Sequence, residues 1–156
     1  MDREPDDAEA GMLAAVLRLF SRWSSLDVQR AVAGEAGVAA EATDIRALYA
    51  LGLHGAPVRP SALAEELQLT RPTASKMLAR LHAADLVARR EDPEDRRAAL
   101  VVLAPAGEAA FTRLHAAGVD MMRAGVRAWT AEERVRFAGA LTRFVDALTS
   151  PDPSRR

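Results

Sequence analysis

Cysteine is absent from the 156 residues of this chain. Its absence excludes disulfides, thiol nucleophiles, thiol redox sensing and cysteine-ligated zinc or iron–sulfur sites. Aromatic residues make up only 4%, with one tyrosine and two tryptophans. Lysine is almost missing: Lys76 is the only one, so arginine carries nearly all of the positive charge. Arginine suits bidentate contact with phosphate and guanine. No apolar run approaches the ~20 residues of a membrane span. The opening "MDREPDDAEA" lacks the basic-then-apolar order of a secretory leader, so a cytoplasmic protein with no membrane partner is expected. Three histidines, His54, His82 and His115, are scattered without an i, i+4 pair, which gives no metal-ligand spacing. There is no Gly-x-Ser-x-Gly elbow, phosphate-cradling glycine loop or His-Glu-x-x-His. No cofactor, no metal and no enzymatic activity are expected.

What is present is a chain rich in alanine, leucine and arginine, 49% hydrophobic, enough for a sizeable core. Such a composition favours helix. Net charge is −1, which by itself argues against a nucleic-acid partner. The distribution softens this: residues 1–10 hold five acids and one arginine, leaving +3 on residues 11–156.

Apolar residues at Leu13, Val16, Leu17, Phe20 and Trp23 follow helical spacing, so a first amphipathic helix is expected from Asp7 to about Val32. A second, capped by Thr43 or Asp44, carries Ile45, Leu48, Tyr49 and Leu51 towards "GLHGAP". Ser61 can cap a short third helix, and "QLT" is a tight turn. Thr70 can cap a fourth, with Pro72 tolerated in its first turn. "LVARRE" and "AALVVL" read as two strands around a charged loop, "DPEDRR". A long helix from Pro105 to Ala128 and a last one opened by the capping box "TAEE" complete the order. Helix–turn–helix followed by a hairpin is a winged helix-turn-helix, a mainly α fold with a small β-hairpin wing.

The helix from Arg71 to Ala84 carries Ala74, Met77, Leu78 and Leu81 on one face. Its other face presents Pro72, Thr73, Ser75, Lys76, Ala79 and Arg80: short hydroxyls, two long cations and no acid. A DNA-reading helix has this arrangement, with donors near its N-terminal half for base edges and phosphates. A solvated surface helix has a similar face, but the register with the preceding helix and the hairpin favours DNA. In the wing, seven of the eight residues "REDPEDRR" are charged. Exposed ion pairs add little to folding. Arg96 and Arg97 can instead enter a minor groove, with Asp95 and Asp92 available to hold an arginine in one rotamer.

The stretch "ALAEELQLTRPTASKMLARLHAADLVARREDPEDRRAALVVLAPAG" resembles the MarR family of bacterial transcriptional regulators. The family's Asp-x-Arg wing motif falls on Asp95 and Arg97. The resemblance implies contacts to double-stranded DNA from Ser61, Arg71, Pro72, Thr73, Ser75, Lys76, Arg80, Asp95, Arg96 and Arg97, with Arg97 in the minor groove and Asp95 positioning it. It implies a homodimer through interlocked terminal helices. The stripes of Leu13, Leu17 and Phe20, and of Phe137, Leu141, Phe144 and Leu148, agree, because a monomer seldom exposes so large an apolar patch. It also implies a small aromatic or phenolic effector, for which Trp23, Asp27, Tyr49, His54 and His115 are the candidate lining residues. One departure is "LAPAG", with Ala104 where the family has a capping threonine.

The resulting division is a disordered acidic lead-in at 1–7, an N-terminal dimerisation helix and linker at 8–42, a winged helix-turn-helix DNA-binding domain at 43–104, C-terminal dimerisation helices at 105–149 and a disordered tail at 150–156. The functional expectation is a ligand-responsive dimeric repressor on a pseudo-palindromic operator. The alternatives are a winged-helix protein-interaction module without DNA binding, and a helical dimer that binds or converts a small molecule.

Overall fold

The computed structural model describes residues 5–23, 34, 41–93 and 99–149; of 5, 6, 22 and 23 it describes the backbone alone. Six helices and a two-stranded hairpin occupy these residues: α1 (Pro5–Trp23), α2 (Ala42–His54), α3 (Pro60–Glu66), α4 (Arg71–Ala83), β1 (Val87–Glu91), β2 (Ala99–Leu103), α5 (Pro105–Gly125) and α6 (Ala131–Thr149). The chain forms two units, residues 1–118 and 119–156, and α5 runs from one into the other. The architecture is thus mainly α with a hairpin wing, as the residue pattern implied.

The core of the first unit joins α2, α3, α4, the hairpin and the first half of α5. Leu48, Leu63, Met77, Leu81 and Leu114 are its largest fully buried side chains. On α4, Ala74, Met77 and Leu81 are buried and Leu78 is half-buried, so the apolar face identified by helical spacing does face inward. Burial of such a stripe, rather than helix propensity, holds a 13-residue helix together.

Helix starts depart from expectation at three places. Helix α2 is capped by Glu41, not by Thr43 or Asp44. The Glu41 side chain accepts from the third-position amide, while the Glu41 amide donates to Asp44 Oδ2 at 3.2 Å. Helix α3 begins one residue before Ser61, because Pro60 sits in its first turn and Arg59 takes the cap position. Proline suits that place, since its missing N–H would have no partner there. Thr70 does cap α4, with Thr73 N–H donating to Thr70 Oγ1 at 3.4 Å. Helix α1 begins at Pro5, inside the stretch expected to be loose.

Both helices of the helix-turn-helix end alike. After α3, Leu69 N–H donates to Ala64 O at 2.8 Å and Gln68 N–H to Glu65 O at 3.0 Å, with Gln68 at φ 55°. After α4, Leu86 N–H donates to Leu81 O at 2.9 Å and Asp85 N–H to His82 O at 3.0 Å, with Asp85 at φ 55°. These are Schellman endings built on left-handed residues that are not glycine. Arg46 Nη2 donates to Leu67 O at 2.9 Å, satisfying a further carbonyl of the α3 end.

In the wing, β1 and β2 pair antiparallel with Val87 opposite Leu103 and Glu91 opposite Ala99. Val58 adds a one-residue bridge to Val101, through Val58 N–H to Val101 O at 3.0 Å and Val101 N–H to Val58 O at 2.8 Å. The hairpin base is therefore stitched to the residues that lead into α3. Gly107 explains the exit from the wing: a Cβ there would sit 1.9 Å from Leu86 O. Only glycine admits the Leu86 carbonyl so close to α5.

Tyr49 packs edge-on to Phe111 with ring centroids 6.1 Å apart, and its hydroxyl donates to Leu114 O at 2.6 Å. Gly52 makes room for the Phe111 ring, whose Cδ2 would lie 2.3 Å from a Cβ at that position. In the second unit, Thr130 and Glu133 form the expected capping box: Glu133 N–H donates to Thr130 Oγ1 at 3.2 Å and Thr130 N–H to Glu133 Oε2 at 2.7 Å. These bonds hold the Glu133 carboxyl below the usual carboxylate range. Trp129 meets Phe137 edge-on at 5.1 Å.

Apolar side chains stand exposed on α1 and α6, including Leu13, Leu17, Phe20 at 71%, Phe137, Leu141 and Leu148 at 70%. No residue of α6 is buried. No helix of the described residues is long and apolar enough to cross a membrane.

Candidate nucleic-acid interface

The outward face of α4 presents Arg71, Pro72, Thr73, Ser75, Lys76, Ala79 and Arg80, all exposed. Thr70 and Thr73 hydroxyls lie 2.8 Å apart, so the cap also orients Thr73. Arg71 and Lys76 make no ion pair among the described residues. Among the described residues, their charges are therefore available to an anionic partner without first breaking an ion pair.

Beside this face lies a groove of about 540 Å³ between α3, α4 and the wing. Its polar lining is Arg59, Ser61, Arg71, Ser75, His82 and Arg89, and among the described residues no acid lines it. The floor is apolar, with Ala64, Ala74, Leu78, Val87 and Val101. Arg59 is engaged by Asp92, which leaves Arg71 and Arg89 as the guanidiniums this lining offers to a polyanion. Ser61, Arg71 and Ser75 were singled out from the sequence. Arg59, His82 and Arg89 were not, because they come from the α3 lead-in, the end of α4 and β1, and no local pattern joins them. The exposed positions flanking the helix-turn-helix were the only available signal.

Arg80 is held differently. Its Nη2 lies 2.7 Å from Asp44 Oδ1 and 2.9 Å from Glu41 Oε2, and its Nε donates to Asp44 Oδ2 at 3.2 Å. Nη2 also donates to Thr43 Oγ1 at 3.3 Å. The hydrogen bonds to Asp44 raise the Arg80 pKa above its usual value, so the guanidinium stays charged. The helix face that carries no acid of its own thus receives two from α2 and its cap.

Asp92, at the wing root, is buried and pairs with Arg59 at 2.7 Å. Among the described residues its pairing runs to the α3 lead-in. Asp95, Arg96 and Arg97 lie outside the described residues.

The effector candidates are only partly brought together. Tyr49 and His115 both contact Phe111, His115 with ring centroids 5.7 Å apart. Burial pushes the Tyr49 hydroxyl pKa up. His54 stands at the exposed end of α2, with Nε2 2.7 Å from Glu66 Oε2. The Trp23 side chain and Asp27 lie outside the described residues. No group of three or more acidic or histidine side chains among the described residues could hold a metal ion.

Comparison with known proteins agrees with the fold. A model of the MarR family matches residues 41–98. No curated protein matches the chain. Among solved structures, RV1404 from Mycobacterium tuberculosis is similar at 25% identity and TM-score 0.70, over 97% of this chain and 99% of that one. A MepR variant from a multidrug-resistant S. aureus clinical isolate is similar at 20% identity and TM-score 0.70, over 88% and 97%. S. aureus MepR bound to ethidium bromide is similar at 20% identity and TM-score 0.58, over 87% and 96%.

Proposed function

Because this chain carries over residues 41–98 the winged helix-turn-helix of the MarR family of transcription regulators, we propose that it is a cytoplasmic, dimeric, DNA-binding repressor whose affinity for its operator falls when a small aromatic effector binds. The observation that carries the DNA reading is the acid-free groove beside α4, with Arg71 and Lys76 unpaired among the described residues. Ser61, Arg71, Pro72, Thr73, Ser75 and Lys76 meet the major groove and its phosphates. Arg96 and Arg97, which fall between β1 and β2 in the sequence, enter the adjacent minor groove, with Asp95 positioning Arg97. The same acid-free lining argues against the protein-interaction alternative and against a catalytic role.

The exposed apolar faces of α1 and α6 support a second copy of this chain as their partner. Six large apolar side chains on α6 are exposed, from Val135 to Leu148, a cost that association in water removes. A two-fold dimer places two α4 helices on successive major grooves, roughly 34 Å apart, and so reads a pseudo-palindrome. Effector response is supported more loosely, by the ethidium complex of the similar MepR and by the Phe111–His115 contact on α5. Trp23 and Asp27 join the proposed lining on sequence grounds.

The test is duplex binding as a function of salt. Wild type should bind with a steep negative dependence of log K on log salt. Lys76→Ala should flatten that slope by about one unit, as loss of a phosphate contact does. Arg97→Ala should weaken binding at least about tenfold. Salt-independent binding would remove DNA from the function; an unchanged slope in Lys76→Ala would mean that Lys76 faces elsewhere, and an unchanged affinity in Arg97→Ala would remove the wing from the mechanism.

A further inference from the structure

We propose that Asp44 is a positioning residue for DNA reading: it clamps Arg80, and with it helix α4, to the first turn of α2, so that Arg80 sets the orientation of α4 and makes no phosphate contact of its own. The inference rests on the DNA-binding reading above.

Three observations carry it. First, the guanidinium is fully engaged along one edge. Nε and Nη2 form a fork on the two Asp44 oxygens at 3.2 and 2.7 Å, and Nη2 also faces Glu41 Oε2 and Thr43 Oγ1. A fork of this kind fixes direction as well as distance. Second, Asp44 is a rigid anchor. Its side chain is only 6% exposed, against 40% for Arg80. It is also held by the Glu41 amide, so it cannot follow Arg80 outward without opening the α2 cap. Third, the clamp joins two elements at the right place. Arg80 lies on the same outward face as Thr73 and Lys76, so a rotation of α4 about its axis that swings Arg80 also moves those two. The apolar side of α4 packs through Ala74, Met77 and Leu81, side chains that form no directional hydrogen bond. The Asp44 fork is a directional restraint on the exposed side. Side chains that read bases must be held to within about 0.5 Å, and a single clamped arginine beside them supplies that restraint.

The charge balance follows. Arg80 faces two carboxylates, so the local sum at this end of α4 is negative, while the Arg71 and Lys76 end is positive. Contact with the DNA backbone is thereby biased to the N-terminal half of the helix.

The experiment uses full-length protein and a labelled duplex selected from a random-sequence pool by wild type, with a mixed-sequence duplex as reference. Arg80→Met, Arg80→Lys and Asp44→Asn should each lower affinity for the selected duplex about tenfold, the lower end of what a lost specific contact costs. Each should lower the selected-to-mixed affinity ratio by the same factor and leave the salt slope unchanged. Arg80→Lys belongs with the others because an ammonium cannot form the fork. The double variant Asp44→Asn/Arg80→Met should be no weaker than the weaker single, as for two residues acting as one unit. The proposal is overturned if Arg80→Met reduces the salt slope by about 0.9 while Arg80→Lys keeps wild-type affinity, the signature of a direct phosphate contact. It is also overturned if the two single losses multiply in the double variant. Circular dichroism at the assay temperature confirms that each variant is folded, and Arg80→Lys carries the test should Asp44→Asn unfold. If wild type enriches no duplex, the DNA reading itself falls and this inference with it, whereas the other two outcomes leave that reading standing.

Discussion

Arg59 donates from both Nε and Nη2 to one oxygen of Asp92, Oδ2, at 3.1 and 2.7 Å. This pair joins the residue that leads into α3 to the root of the wing. It lies next to the Val58–Val101 bridge, so among the described residues two backbone bonds and this ion pair join the wing to the helix-turn-helix. The Asp92 side chain is 5% exposed and that of Arg59 53%. A half-exposed pair recovers only part of what a buried one does. Asp92→Asn should therefore destabilise the protein by about 1–2 kcal/mol. Asp120→Asn, which removes the exposed i, i+3 pair with Arg123, should cost less than about 0.5 kcal/mol. Urea unfolding of the two variants checks the contrast, and equal midpoints would mean that the wing root is not held electrostatically.

Gly107 lies in the first turn of α5, against the backbone that leads into the wing. An added Cβ would lie 1.9 Å from Leu86 O and 3.3 Å from a Leu103 methyl. The carbonyl is backbone, and it already accepts from Ala104 N–H at 3.0 Å, so it has no inexpensive way to move. Gly107→Ala should cost about 3 kcal/mol or more, the upper range for overpacking, despite alanine's better helix propensity. A thermal melt at or above the wild-type midpoint would show that α5 can slide to accommodate the methyl group.

Tyr49 is the only tyrosine, so its ionisation can be followed directly by absorbance. Burial raises its pKa above the ordinary 10.0. The folded protein disfavours the phenolate more than the unfolded chain does. The hydroxyl's contribution to stability is then complete below the ordinary value and is lost as pH rises through the raised one. Alkaline titration should show a midpoint above that of free tyrosine, and wild type should lose stability at high pH faster than Tyr49→Phe. At neutral pH the same variant should be about 1 kcal/mol less stable, for the lost bond to Leu114 O. A titration midpoint at the free-tyrosine value would contradict the packing of α2 on α5.

Local patterns in the chain were sufficient for the order of elements, the two faces of α4, the Thr70 cap and the Thr130–Glu133 box. Each depends on residues within one or two helical turns, where spacing alone decides which side chains can meet. The family likeness over residues 41–98 is legible for the same reason. The start of α2 was not legible locally, since the preferred cap residues Thr43 and Asp44 lie inside the helix and the cap falls on Glu41, whose partner is Asp44. Only tertiary structure decided where Arg80 points. On its own helix it has no acid nearby, and its partners Glu41 and Asp44 lie more than thirty residues earlier in the chain. The same holds for Arg59 with Asp92 and for the gathering of Arg59, His82 and Arg89 around one groove. A long-range ion pair leaves no periodic trace in a sequence, because its two halves are brought together by the packing of Leu48, Leu63, Met77 and Leu81 and not by anything in the chain between them.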